Sequence, residues 1–482
     1  MESSAARLAA FVRIAICQVV FATWLVARCA LAETVSPAPS SATPAGGAAP
    51  TAAEPPATLA KPTPKPQVIA YDGRAPEPTT AGDVLLWVPR IVLAPLYLIG
   101  EFVVRRPLAV AIPGAERADL PRKVYDFFLF APGHKGGVVP VGYVDFDFNP
   151  SVGLYAFWRD AFAAGNDWSV HTELWPTDWY ALSVKESARI DARTSLQFHL
   201  SVVHRPDRVF YGIGARSLQS DQSRFTQAIA DESANLDWRP ARRSRMQLAV
   251  GLRSQETGPG SYGADPSLER QAATGAFPLP YGFGLRYAAA YTRALVALDT
   301  RDPWPMPGDG ARVELQADQG SGLGASATTS WIRYGAVLAG FWDLDQHQRV
   351  LGLSLTARFA DPLGQTPIPF TELASLGGDG PMRGYFSGRM VGRSAAAAAL
   401  RYTWPIGPWL GGAIEGAVGN VFDAHLQGFR PQLLRFSGDI GITTAGLTDY
   451  PIEGIVGVGS ETFEHGGQVD SVRVTLSVNH GF

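Results

Sequence analysis

From about residue 124 onward, apolar and polar residues alternate in short runs. The sharpest run is the last, where Val472, Val474, Leu476, Val478, His480 and Phe482 occupy one face and Arg473, Thr475, Ser477, Asn479 and Gly481 the other. A period of two is that of a strand with one oily side and one wet side. The segments 141–148, 195–203 and 349–358 repeat the pattern, and Asn149-Pro150 and Asp361-Pro362 supply turns between runs. The pattern predicts about sixteen strands, with about 22 residues for each strand and its connection. Each run is near the length a tilted strand needs to cross a bilayer. Strands of a soluble sandwich alternate in the same way, but no fixed-period repeat marks a propeller.

The first 123 residues read differently. Arg7 and Arg13 flank a short n-region, residues 14–27 form an apolar run, and Ala30-Leu31-Ala32 places small residues where a signal peptidase needs them. Residues 1–32 are therefore expected to be a signal peptide, cleaved before Glu33. The run is short for a membrane span of about 20 residues. Residues 33–82 are rich in Pro, Ala, Thr and Ser and cannot bury enough surface to offset their ordering entropy, which predicts a disordered linker facing the periplasm. Asp83 is placed as an N-cap for an amphipathic helical segment within residues 83–123, broken at Pro89 and Pro95. Such a helix either lies in the membrane interface or packs on the rim of the following domain.

Composition narrows the class. The two cysteines, Cys17 and Cys29, fall within the expected signal peptide, so the mature chain carries neither disulfides nor thiolate metal sites. Beyond the signal, no stretch of about 20 residues runs free of charge and proline, which excludes a helical membrane protein. A net charge of −3 gives no reason to expect a nucleic-acid partner. There is no Gly-x-Ser-x-Gly elbow, and the eight histidines show no metal-type spacing. No catalytic residue, cofactor or metal is expected. A transmembrane barrel fits better: lipid packs on a terminal aromatic such as Phe482, and outer-membrane insertion machinery reads it.

Residues 367–389 are too long for a hairpin turn. They contain Leu376-Gly377-Gly378, then Met382-Arg383-Gly384-Tyr385, then Gly388-Arg389. Here the chain resembles the barrel of the bacterial surface-antigen superfamily, which includes the BamA and TamA assembly factors and the two-partner secretion transporters. In that family a long extracellular loop folds into the lumen, and its Arg-Gly-aromatic tip pairs with an acidic residue of the wall. Met382 stands where Val or Leu is usual. The turn Asp299-Thr300-Arg301-Asp302 with Gly310 beyond it is similar to the family's turn after a barrel strand, and residues 208–214 with 221–225 to another strand-loop signature.

The resemblance implies an all-β fold: a sixteen-stranded antiparallel transmembrane barrel over residues 124–482 with a lumen-inserted loop, in the bacterial outer membrane. Its expected partners are outer-membrane lipids, the barrel-assembly machinery during its own insertion, and client outer-membrane proteins or lipids. Two departures bear on function. No periplasmic POTRA module is legible in residues 33–123. The family's wall Asp is replaced by Ala417, and Glu415, two residues earlier on the same strand face, is expected to pair with Arg383 or else to face luminal water. The resemblance implies outer-membrane protein or lipid assembly or translocation, through a weak seam between first and last strands and local thinning of the bilayer. The alternative is a loop-gated channel or structural barrel.

Overall fold

The computed structural model describes residues 127–175, 179–241, 244–301, 308–344, 349–407, 410–444 and 452–478. The expected signal peptide, linker and helical segment, and with them the question of a POTRA module, lie outside the described residues, as do Asp302 and Phe482.

Sixteen antiparallel strands close into a barrel. They are β1 (Gly136–Asp145), β2 (Ser151–Trp158), β3 (Asn166–Leu174), β4 (Tyr180–Arg189), β5 (Thr194–Phe210), β6 (Ser223–Trp238), β7 (Arg245–Pro259) and β8 (Arg286–Asp299). The second half holds β9 (Gly310–Leu323), β10 (Ser330–Asp343), β11 (Val350–Pro362), β12 (Ser394–Gly407), β13 (Leu410–Phe422), β14 (Arg435–Thr444), β15 (Ile452–Ser460) and β16 (Val469–Val478). Each pairs with its sequence neighbours, and β16 returns to pair with β1. Closure leaves no long free edge, which is what a sheet needs in a medium that cannot hydrogen-bond.

The period of two is realised as a lipid face and a luminal face. On β7, Leu248, Val250 and Leu252 stand outward while Ala249 is buried between them. On β16, Val472 and Leu476 point out, and Ser471, Arg473 and Thr475 are buried on the inside. Connections also separate by side. Residues 190–193 make a tight turn at the end where β1 begins, whereas 211–222, 260–285 and 363–393 are long connections at the other end. Short turns mark the periplasmic side of such barrels and long loops the outer side.

Strand length is uneven. β5, β6 and β7 run to 17, 16 and 15 residues, but β1 to β4 have only 10, 8, 9 and 10, and β14 to β16 have 10, 9 and 10. The closing seam lies in this short part. Among the described residues it consists of four register pairs, Gly142 to Asp145 against Val478 to Thr475. By contrast β6 and β7 pair through fourteen, Phe225 to Trp238 against Pro259 to Met246. At the periplasmic end of β1, a two-residue strand, Leu129–Phe130, pairs with Gly137 and Gly136.

The interior is filled by the barrel's own outer loops. Phe210, Phe225, Leu268, Phe277 and Phe370 form an aromatic nest at the outer mouth, with Leu268 supplied by the short helix Leu268–Ala273. Deeper, Leu376, Met382, Tyr385 and Met390 of the long loop pack on Ala395, Ala397, Ala399 and Ala417 of β12 and β13.

Candidate functional site: a loop docked in the lumen beside the seam

Residues 363–393 enter the barrel on a short stem, Ala374–Leu376 paired with Met390–Gly392. The alanine run 395–399 explains how they fit. Every second alanine faces inward, and methyl-sized side chains leave the lumen wide enough to seat Met382 and Tyr385, both fully buried. The tip then folds on itself, with Gly377 N–H donating to Pro381 O at 3.1 Å and Gly378 N–H to Tyr385 O at 2.9 Å.

The tip lies against β14, β15 and β16, and small residues on both sides permit the approach. A Cβ on Gly384 would stand 2.0 Å from Val458 O, one on Gly457 2.8 Å from Gly384 Cα, and one on Gly459 2.4 Å from the Tyr385 ring. Polar groups complete the fit. Gly384 N–H donates to Ser437 Oγ at 2.9 Å, and Ser471 Oγ donates to Gly384 O at 3.0 Å. The Tyr385 hydroxyl shares its hydrogen between Ser460 O (2.6 Å) and Phe436 O (2.7 Å) and accepts from Ser460 N–H (2.7 Å). Burial pushes that hydroxyl up to about 12, so it remains a donor at any ordinary pH.

Arg383 pairs with Glu453 of β15, Nη2 to Oε1 at 2.8 Å, and not with Glu415. The expected assignment to Glu415 is thereby corrected. The tip docks beyond β13, with Gly384 against Gly457, and Glu453 lies four residues along β15 on the same face. Glu415 is engaged instead by Arg401, its register neighbour on β12, at 3.4 Å. Family spacing placed the carboxylate on β13, and nothing in the local sequence around Glu453 marks it as the partner.

The remaining expected residues separate by location. Arg389 is buried at the outer end of the loop, over the Tyr211 ring, with Nη1 donating to Ser217 O and Oγ at 3.1 and 2.9 Å. Its Nη2 lies 3.4 Å from Glu461, which also accepts Arg435 Nη1 at 2.7 Å. Gly388 turns at φ +97°, where a Cβ would meet Val209 O at 2.5 Å. Asp299 and Arg301 form a self-braced turn far away on the periplasmic side, with Nη2 to Oδ2 at 2.5 Å and the guanidinium over Phe341. Gly310 closes that turn, its backbone pressed against Arg301. This second motif thus belongs to a strand connection and not to the luminal site.

Three features went unread in the sequence. Glu372 on the descending limb of the loop is almost fully buried and receives Arg253 Nη1 (3.2 Å), Arg333 Nη1 (2.8 Å) and the Tyr287 hydroxyl (2.7 Å). Arg224 holds Asp147 and Asp265 from two different outer connections, at 2.7 and 2.6 Å. Arg473 joins β16 to Asp145 of β1. Arg224 and Arg473 lie in alternating runs where a charge reads only as an inward-facing position, and Glu372 lies in a loop whose contacts no local pattern sets. Among the described residues, no three His, Cys, Asp or Glu side chains converge as metal ligands.

A closed sixteen-stranded barrel, lipid-facing outside and plugged by its own Arg-Gly-Tyr loop beside a short seam, defines a class of bacterial outer-membrane protein. Residues 151–418 match the Omp85 superfamily domain, and the chain belongs to that superfamily. Curated proteins offer no sequence match. Among solved structures, the chain is similar to BamA from Haemophilus ducreyi lacking POTRA domains 1–3, at 13% identity and a TM-score of 0.52, over 72% of this chain and 70% of that one. It is also similar to CdiB from Acinetobacter baumannii (12% identity, TM-score 0.44) and from Escherichia coli (10%, 0.46). It covers 60% and 64% of those two, and they cover 72% and 73% of it.

Proposed function

We propose that this barrel assembles or translocates outer-membrane proteins or lipids by lateral opening between β1 and β16, with the Arg383 loop holding the lumen closed in the resting state. The observation that carries the reading is the seam: four register pairs among the described residues, where the flanking junctions have eight and nine and β6–β7 has fourteen. Backbone pairing is the main cohesion between strands inside lipid, so the junction with the shortest ladder is the one that opens at least cost. Short strands on both sides of the seam support a second element of the reading. They present a thinner apolar band, and a bilayer meeting a short hydrophobic surface thins locally. Loosened lipid there favours entry of a client strand or an acyl chain. The reading assigns no catalysis to the chain.

A loop-gated channel is the second reading. It is favoured by the charged pairs along the wall, such as Arg293–Asp318 and Arg401–Glu415, which would line a water-filled lumen if the loop withdrew.

Single-channel conductance in planar bilayers tests both. A mostly closed wild type whose Arg383→Ala variant flickers open supports a luminal loop held by Arg383. Steady large openings in the wild type, unchanged by the substitution, would refute the plugged barrel. Reconstitution with an unfolded outer-membrane client then separates the two: membrane insertion of the client is expected from the first reading and solute flux alone from the second.

A further inference from the structure

The seam and the luminal loop share one side chain. Arg473 of β16 is buried, and its guanidinium faces three ways. Across the seam, Nε and Nη2 reach Asp145 Oδ2 of β1 at 3.1 and 3.0 Å. Toward the loop, Nη1 donates to Gly378 O at 2.6 Å. Toward the outer opening, Nη2 lies 3.5 Å from Asp379, which is more than half exposed.

Asp145 is organised around this contact. It is buried, and it also accepts Thr475 Oγ1 at 3.1 Å and the Tyr143 hydroxyl at 2.9 Å. Asp145 and Thr475 form the outermost register pair of the seam, and Phe146 N–H adds one bond to Val474 O at 3.0 Å. The ion pair therefore stands at the outer end of a four-pair ladder, where a charge-assisted bond has the least backbone pairing to share the load with. We propose that Arg473 is a positioning residue that couples the luminal loop to the seam: withdrawal of the Gly378–Asp379 turn weakens the β1–β16 junction, and opening of that junction loosens the loop.

The physical basis is desolvation. With the loop in place, the Gly378 carbonyl fills the donor site of Arg473 that Asp145 leaves open, and the pair sits away from water. When the turn leaves, Nη1 loses its acceptor and water reaches the pair, and a hydrated pair holds two strands far less firmly than a buried one. Linkage makes the effect reciprocal. An apolar contact, Phe386 edge-on to Phe148 at 5.1 Å, is a second tie between the tip and the β1–β2 connection. It carries no charge across the seam itself, so its loss is not expected to break the coupling.

The inference rests on the reading that the seam opens. Its test uses no client, so a failure to insert any client protein would leave the outcome intact. Hydrogen exchange at the Gly142–Asp145 amides is followed by mass spectrometry on the full chain in lipid nanodiscs. Glu453→Gln, which removes the ion pair of Arg383 and so raises the share of undocked tip, is expected to speed exchange at the seam by about fivefold. Arg473→Ala is expected to speed it at least as much, and the double variant no more than Arg473→Ala alone. Phe386→Ala should leave the Glu453→Gln effect in place. Slow exchange of β6 and β7 in the same samples reports an intact barrel. If Arg473→Ala does not fold, Arg473→Lys carries the same cycle, with the Glu453→Gln effect expected to shrink. Multiplicative effects in the double variant, or a seam indifferent to Glu453→Gln, would overturn the coupling.

Discussion

Two walls of the barrel grip the same loop by opposite means. On the far wall, β7, β8 and β10 supply Arg253, Tyr287 and Arg333, and the loop supplies the acid, Glu372. On the seam wall, the loop's base, Arg383, meets only Glu453 of β15, and its exposed Asp379 lies 3.5 Å from Arg473 of β16. The far contact has three donors and sits among full strand ladders; the Arg383 contact is a single bond, and Arg383 Nε finds no protein acceptor among the described residues. Shape compensates on the near side, where Gly384 lies backbone to backbone on Gly457 and Val458. The lesson is that a hinge and a latch differ in what they can lose. A buried acid with three partners is costly to release, whereas a close-packed tip with one short ion pair and one longer, exposed one lets go as a unit.

Four substitutions break or sharpen that contrast. Gly384→Val should have the largest effect, because its side chain collides with Val458 backbone that has nowhere to move; about 3 kcal/mol of tip docking is expected to be lost. Protease cleavage within residues 377–388 of folded barrels would show it. Glu372→Gln should cost about 2 kcal/mol of barrel stability by removing the charge that Arg253 and Arg333 face. Both arginines keep a carboxylate, Asp231 and Asp318, and that moderates the loss. Urea unfolding in detergent micelles measures it, and an unchanged midpoint would remove the hinge. Arg383→Ala should cost about 1 kcal/mol, since Glu453 retains some solvent and the glycine fit survives; the expected sign is flickering conductance with unchanged barrel stability. Glu415→Ala should do least, below about 0.5 kcal/mol, because its partner Arg401 is one-third exposed. A conductance phenotype equal to that of Arg383→Ala would restore Glu415 to the latch.

Much of the barrel was legible along the chain. Alternation over residues 472–476 assigns Val472 and Leu476 to lipid and Arg473 and Thr475 to the lumen, as found. The loop was legible too, because Gly377, Gly378, Gly384 and Gly388 cluster where no hairpin needs them. Its wall partner was not. On any strand, every second residue faces the lumen, so Glu415 and Glu453 are equivalent by periodicity, and only the depth and angle at which the tip docks separates them.

The sequence by itself thus determined the architecture, the side of the wall each strand residue faces, and which segment leaves the wall to fill the lumen. The first two follow from local rules, a period of two and turn chemistry, and the third from the resemblance of the Arg383 segment to a family whose loop enters the lumen. Tertiary structure alone decided which charges meet. Arg383 with Glu453, Glu372 with Arg253 and Arg333, and Arg473 with Asp145 join residues 70, 119, 39 and 328 positions apart. Such pairs form when closure of the sheet brings distant strands to one circumference. No local pattern records that distance, because the circumference is set by the number and stagger of all the strands together.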